Sequence, residues 1–322
     1  FSLVGSGVVL FLTAFVDHLI ALTMARLAAG FAAGAILICQ AIIADQTEPS
    51  KRAATLGILG ASMGFGFVVG PALGAALADY GFPGACFTAA AALGLNAMII
   101  VVGFKDRPST QTSEVLPSSS GLKSLGTYLR HPVLGKVLIA CFLSAIALTA
   151  LRGSFPMYMK DRFLMSPRGL GMVFTWIGVF AIFSQGVLVR LLVRRWDERR
   201  VARLGVTLLA IGLGLLPLVP NLTATLAVVA GLAIGQGLFV PTLTALLSRA
   251  SEAHEQGVVL GLGQSATALA RSLGPVGIGL LYDQNMVLPY FASAVAAAIA
   301  LLMIDTLRRD EHLRRAAEAG LG

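Results

Sequence analysis

The sequence predicts an all-α membrane protein of about ten transmembrane helices, on three observations. Of 322 residues, 57% are hydrophobic and 12% charged, with a mean hydropathy of +0.83. A soluble globular chain carries about twice that charge. The apolar residues gather into ten runs of roughly the ~20 residues that an α-helix needs to cross a bilayer. Lys and Arg are sorted unequally between alternate loops, the asymmetry that orients helices in a membrane. A β-barrel is excluded, because barrel strands alternate over ~10 residues and these runs do not.

The ten spans are 1–16, 19–44, 53–78, 84–104, 134–159, 169–193, 204–219, 222–248, 257–282 and 286–307. The connections at 16–19 and 219–222 are very short. One long polar stretch, Lys105 to Val133, leaves four spans before it and six after it. Its centre, PSTQTSEVLPSSSG at 108–121, has turn and disorder composition. In the following GLKSLGTYLRHP, at 121–132, Leu122, Leu125 and Leu129 lie at helical spacing and predict a short surface helix. The chain therefore divides into an N-terminal bundle over 1–104, a central linker over 105–133 and a C-terminal bundle over 134–322 with a short tail. An inverted-repeat transporter has equal halves. The four-plus-six division predicts two further helices before Phe1.

With Phe1 placed on the cytoplasmic side, eighteen Lys and Arg side chains fall on that side, among them Lys51, Arg52, Arg190, Arg194, Arg195 and Arg249. The other side holds Lys160, Arg162 and Arg168. This predicts cytoplasmic N- and C-termini. The net charge of +8 is then a topology signal; the basic residues are scattered over loops, which argues against a nucleic-acid partner. The linker is expected on the cytoplasmic side. Cys39, Cys86 and Cys141 all lie in apolar spans and show neither metal-ligand nor disulfide spacing. The four histidines fall at loops or span ends, and no nucleophile elbow or phosphate-binding loop stands in a suitable context. No enzyme, metal site or cofactor is expected.

Residues 60–77, GASMGFGFVVGPALGAAL, form an uncharged span broken by five glycines and a proline. Proline removes a backbone donor and crowds the preceding turn, while glycine admits a neighbouring helix closely. The device recurs. Gly57, Gly70, Pro71, Leu77 and Asp79 have counterparts 204 residues later in Gly261, Gly274, Pro275, Leu281 and Asp283. Interrupted helices at corresponding positions of two halves point to a secondary transporter.

Three stretches carry a resemblance. ARLAAGFAAGAILICQAIIAD at 25–45 has an arginine followed by spaced glycines, Gly30 and Gly34 among them. GFGFVVGPALGAAL at 64–77 contains Gly70, Pro71 and Gly74. The third is VPTLTALLSRASEAHEQGVVLGLGQSATALARSLGPVGIGLLYD at 240–283. In this order they resemble the major facilitator superfamily, in its drug:proton antiporter branch, and most of all the tetracycline/proton antiporters. The resemblance covers nearly the whole chain if Phe1 begins the family's third helix. It implies two six-helix bundles, with the first two helices absent here, around a midplane cavity. It also implies a monomer in the bacterial inner membrane, powered by the proton gradient and exporting drug-like hydrophobic or amphipathic compounds, with tetracycline as a narrower case. VRRWDERR at 193–200 echoes the family's loop motif but departs from it at Arg194 and Asp197, which places the charged gating contact of that loop in doubt. Uptake of a metabolite by symport on the same fold, and a non-transporting membrane sensor, remain alternatives.

Individual residues carry two readings each. The resemblance gives Arg26 a role in proton coupling; a structural arginine held by backbone carbonyls is the plainer account. Arg152 and Arg271 are the other two cations inside spans, and intramembrane charge is costly and usually functional. Arg271 shares a helical face with Gln264, so both can line a cavity and meet a polar or anionic part of the substrate. Against this, Arg271 can support the bend at Gly274–Pro275, and Arg152 can snorkel outward. Gln185 and Gln236 are further cavity candidates, though interhelical hydrogen bonds explain such amides equally. Trp176, one turn from Phe180, can stack on a planar ligand or face lipid. Asp17, Asp45, Asp79, Asp283 and Asp305 all stand at or beyond span ends. The acid partner of Arg26 is accordingly expected in helices before Phe1, and Phe1–Gly322 alone is expected not to perform pH-gradient-driven transport.

Overall fold

The computed structural model describes residues 1–32, 34, 35, 38, 39, 42, 43, 47, 49–103, 126, 128–251 and 255–318. Among these the regular elements are helical. They are α1 (Ser2–Thr13), α2 (Leu19–Ala32), α3 (Pro49–Ala76), a 3-10 turn (Ala78–Tyr80), α4 (Gly81–Gly103), α5 (Leu134–Gly153), α6 (Phe155–Phe163), α7 (Pro167–Phe183), a π-helical segment (Ser184–Leu188), α8 (Val189–Val193), α9 (Glu198–Leu215), α10 (Leu222–Ala250), α11 (Gln256–Gln284) and α12 (Leu288–Glu318). Among the described residues each apolar run of the sequence falls mainly on helix. The run 134–159 is divided between α5 and α6 at Ser154, and 169–193 contains the π segment. Five stretches are both long and apolar enough to cross a bilayer: Ala78–Gly103, Leu134–Phe163, Pro167–Val193, Leu222–Ala250 and Leu288–Leu307. Leu122 and Leu125 of the expected surface helix lie outside the described residues, as do Gln40 and Asp45; Leu129 is helical and exposed.

The chain forms two compact units, Phe1–Leu116 with Pro167–Met172, and Pro117–Ser166 with Val173–Gly322. In the first unit α1 packs against α2 and α4. The hydroxyl of Ser2 donates to Ala32 O and accepts from Gly34 N at 3.2 Å, which ties the start of α1 to the end of α2. At the other end of α1, Phe11 and Phe15 meet Phe87 of α4 with centroids 5.4 and 5.5 Å apart. Gly81 turns the chain from the 3-10 turn into α4 at φ +68°, a backbone conformation that costs any residue with a Cβ.

In the second unit α5 packs on α11 and α12, and α9 on α10 and α12. The α9 stripe Ala202, Val206, Leu209 and Leu213 is fully buried, with the i, i+3/i+4 spacing of a helix that presents one face to its neighbours. The α9–α10 contact is made through backbone. A Cβ built on Gly205 would stand 2.7 Å from Phe239 N and 2.8 Å from Gly235 O; one on Gly235 would stand 2.7 Å from Gly205 O. The helix starts are capped in three places. Asp197 accepts from Arg200 N at 3.2 Å, Asn221 from Ala224 N at 2.9 Å and His131 Nδ1 from Leu134 N at 3.2 Å. The carbonyls past the end of α9 are taken by α6: Tyr158 donates to Leu216 O at 3.3 Å, and Arg162 to Pro217 O at 2.8 Å and Val219 O at 2.5 Å.

The sequence places distortions at Gly70–Pro71 and Gly274–Pro275. In the structure α3 and α11 run through Pro71 and Pro275 without a break in helix, as α10 does through Pro241. The departure from α-helical winding lies instead at Ser184–Leu188, where no proline stands. Its neighbourhood supplies the reason. Ser184 donates to Ile234 O at 2.8 Å, and a Cβ on Gly237 would sit 2.5 Å from the Ser184 Cβ. The segment is pressed onto α10, and a π turn widens the helix to fit.

Replacing Gly205 with Val should therefore lower thermal stability by about 1–3 kcal/mol, the usual cost of overpacking. The same change at Gly231, where a Cβ meets nothing within 4 Å, should be near neutral. Unfolding of the purified variants in one detergent reads the difference; equal midpoints would refute the backbone-to-backbone contact.

Candidate functional site

The best-defined meeting of candidate residues is the seam between α5 and α11. Thr149 of α5 is buried and donates to Ile146 O at 2.5 Å. It fills the space over Gly274: a Cβ there would fall 2.6 Å from Thr149 Oγ1 and 2.9 Å from its Cβ. One turn further along α5 stands Arg152, and one turn before Gly274 on α11 stands Arg271. Both side chains are exposed. Neither has an acidic partner among the described residues. Pro275 cannot donate to the carbonyl four residues earlier, so the backbone oxygen of Arg271 lacks its normal helical donor. Gln264 is exposed two turns earlier on α11. Arg152 also lies in the last turn of α5, where a cation complements the helix dipole.

Gln185 and Gln236 occupy the second seam, between the π segment and α10, but the contact is made by their chain neighbours Ser184 and Gly237. Among the described residues neither amide has a hydrogen-bond partner. Trp176 anchors the same pair of helices: its Nε1–H donates to Leu226 O of α10 at 3.2 Å, and its ring meets Phe180 edge-on at 4.8 Å. The indole N–H is thus engaged with backbone. In the first unit, Arg26 is exposed on α2 and has no ion-pair partner among the described residues. Cβ atoms built on Gly30, Gly70 and Gly74 meet nothing within 4 Å, and Gly34 makes ordinary contact with Ile38 and Ser2. Pro71 is half-buried. The two Gly-Pro pairs therefore differ: close glycine packing is found at Gly274 and not at Gly70.

Sequence reading missed a polar stripe at the junction of α5 and α6. Ser154, Tyr158 and Arg162 recur every four residues on one face. Tyr158 and Tyr290 are fully buried and edge-to-face at 5.0 Å, and Ser154 Oγ lies 3.5 Å from the Tyr290 hydroxyl. Arg162 also donates to the Tyr158 hydroxyl. Nearby, Tyr282 donates to Asp161 Oδ2 at 2.6 Å. The four-residue spacing is the signal that could have found it.

Two charged contacts of this unit bear on the sequence reading. Asp305 stands two residues before the end of the membrane stretch Leu288–Leu307, as the sequence places it; α12 continues past it to Glu318, and Asp305 pairs with Arg203 at 3.2 Å. The loop 193–200 does hold a charged contact: Glu198 meets Arg249 at 2.6 Å and is only 12% exposed, joining the start of α9 to the end of α10. The departures at Arg194 and Asp197 leave this pair untouched, because it uses neither residue.

The sequence model of the Major Facilitator Superfamily matches residues 1–163 and 137–321. Multidrug resistance protein 2 of Bacillus subtilis is 26% identical over 289 residues, 88% of this chain and 72% of the relative. Tetracycline resistance protein, class D, of Salmonella ordonez is 27% identical over 289 residues, with the same coverage of each. Among solved structures, a bacterial homolog of the human lysosomal transporter Spinster, inward-facing and occupied, aligns with a TM-score of 0.73 at 15% identity, over 96% of this chain and 81% of that one. The human organic anion transporter MFSD10 aligns with a TM-score of 0.68 at 21% identity, over 94% and 75%.

Gly274→Ala should lower the unfolding midpoint of the purified protein, whereas Gly277→Ala, in open space, should not. Thr149→Ala in the Gly274→Ala background should recover part of the loss, since it removes the nearest atoms. Additive losses in that double-mutant cycle would show that the two residues do not touch.

Proposed function

The chain belongs to the major facilitator superfamily, and we propose that this integral, multi-pass membrane transporter is a secondary active exporter of hydrophobic or amphipathic drug-like molecules, driven by inward proton flow. One observation carries the substrate class. Arg152 and Arg271 each stand one turn from the Thr149–Gly274 contact, on the two helices that make it, and no acid among the described residues neutralises them. Uncompensated charge in an apolar span is expensive. An amphipathic substrate whose anionic or polar group reaches these guanidiniums would relieve that cost, while its apolar body is desolvated against the helices. Gln264 on the same face would add a neutral donor and acceptor.

Export, rather than uptake, is favoured by the Gly-Pro stretch at 64–77 and by kinship with relatives named for multidrug and tetracycline resistance. Proton coupling and a role for Arg26 in it belong to the same proposal, as does tetracycline as the narrower substrate. So do the bacterial inner membrane, a monomeric state and cytoplasmic termini, the last supported by the uneven distribution of Lys and Arg.

The test uses the full reading frame expressed in an efflux-deficient bacterium. Expression should lower the steady-state accumulation of amphipathic antibiotics and dyes, and a protonophore should abolish the effect. The double change Arg152→Gln with Arg271→Gln should reduce export of anionic compounds about tenfold, while leaving protein abundance unchanged. Uptake in place of export would establish the symporter reading. Ligand binding without movement in either direction would establish a sensor.

A further inference from the structure

We infer that the second unit carries a site for an anionic phospholipid, in a shallow groove between α8 and α10. The groove has a volume of about 380 Å³ and is lined by the apolar Val189, Val193, Pro241 and Ala245 together with Arg190, Arg194, Glu198 and Thr242. Its apolar walls suit an acyl chain. Its charges suit a phosphate. Glu198 is already neutralised by Arg249 at 2.6 Å, so it does not cancel the two arginines. Arg190 and Arg194 are both exposed, and among the described residues neither has an ion-pair partner. The groove therefore presents two free guanidiniums and an apolar floor. Arg190 lies in the last turn of the membrane stretch Pro167–Val193, and Arg194 follows its end. That is the depth at which long cationic side chains reach headgroups and at which basic pockets between helices take anionic lipids. Trp196, 42% exposed in the same turn, is of the residue type that settles at a membrane interface. The inference needs only that the chain spans a bilayer, and it is independent of what the transporter moves.

Trp196 also reports on the site. The chain has two tryptophans, so Trp176→Phe leaves Trp196 as the only one. Purified protein is titrated with brominated phosphatidylglycerol or brominated phosphatidylcholine in neutral detergent, and quenching of Trp196 is followed. Phosphatidylglycerol should half-quench at a roughly 30-fold lower concentration, equivalent to about 1 kcal/mol per guanidinium. Arg190→Gln with Arg194→Gln should erase that preference, and Arg168→Gln should retain it. Where the double variant fails to purify, each single variant should lose about fivefold. Excess inorganic phosphate should leave the quenching unchanged, because phosphate alone gains nothing from the apolar floor. Equal quenching by the two lipids, an unaltered preference in the arginine variants, or displacement by inorganic phosphate would each overturn the site.

Discussion

Hydrocarbon offers no partner to a peptide N–H or C=O, and this structure is organised by that constraint. Helix satisfies most backbone groups locally, which is why the described regular elements are helical. The exceptions show how the remaining groups are handled. Where α9 ends, Tyr158 and Arg162 of α6 supply the donors that water would supply elsewhere. Where the chain turns between the 3-10 segment and α4, Gly81 takes the conformation that closes the turn at least strain. Where Pro275 withholds a donor, the carbonyl left without its helical partner is that of Arg271, inside the seam that carries the free charges.

Since lipid tails are as apolar as leucine, burial alone does not press these helices together. Shape must do so. Gly205 and Gly235 let α9 and α10 meet backbone to backbone, Gly237 admits the π turn at Ser184, and Gly274 admits Thr149. These contacts hold α5, α7, α9, α10 and α11 in the second unit. Charge is sorted against the same background. Glu198–Arg249 pairs at helix ends, and Arg203–Asp305, exposed to solvent, adds little to stability. Arg152 and Arg271 have no acidic partner among the described residues, and that contrast singles them out as the proposed site.

The fold class was legible because bilayer thickness imposes a length and hydropathy that no packing detail can hide. The Gly-Pro motifs were equally visible, but their consequences were not. A proline pattern predicts an interruption, and a helix that loses one hydrogen bond can still continue through it, as α3 and α11 do. The π segment has no residue signature of its own, since the contact it makes depends on Gly237 and Ile234 of another helix. Trp176 and the two glutamines could not be resolved by type alone, because an indole N–H or an amide serves a neighbouring helix as readily as a ligand. The Arg162 cap was legible in principle from the Ser154, Tyr158, Arg162 stripe, but the carbonyls it serves come from more than 50 residues away in sequence.

The central claim is that Arg152 and Arg271 hold the polar end of an amphipathic ligand. Thermal unfolding of the purified protein in a neutral detergent tests it, using an anionic amphipath and its uncharged analogue at matched concentrations. A ligand that binds only the folded state raises the midpoint in proportion to its affinity. The account predicts a larger rise with the anionic compound, and loss of that excess, but not of the rise common to both compounds, when Arg152 and Arg271 are replaced with Gln. Equal rises in the unaltered protein, or an anionic excess that survives both replacements, would contradict it.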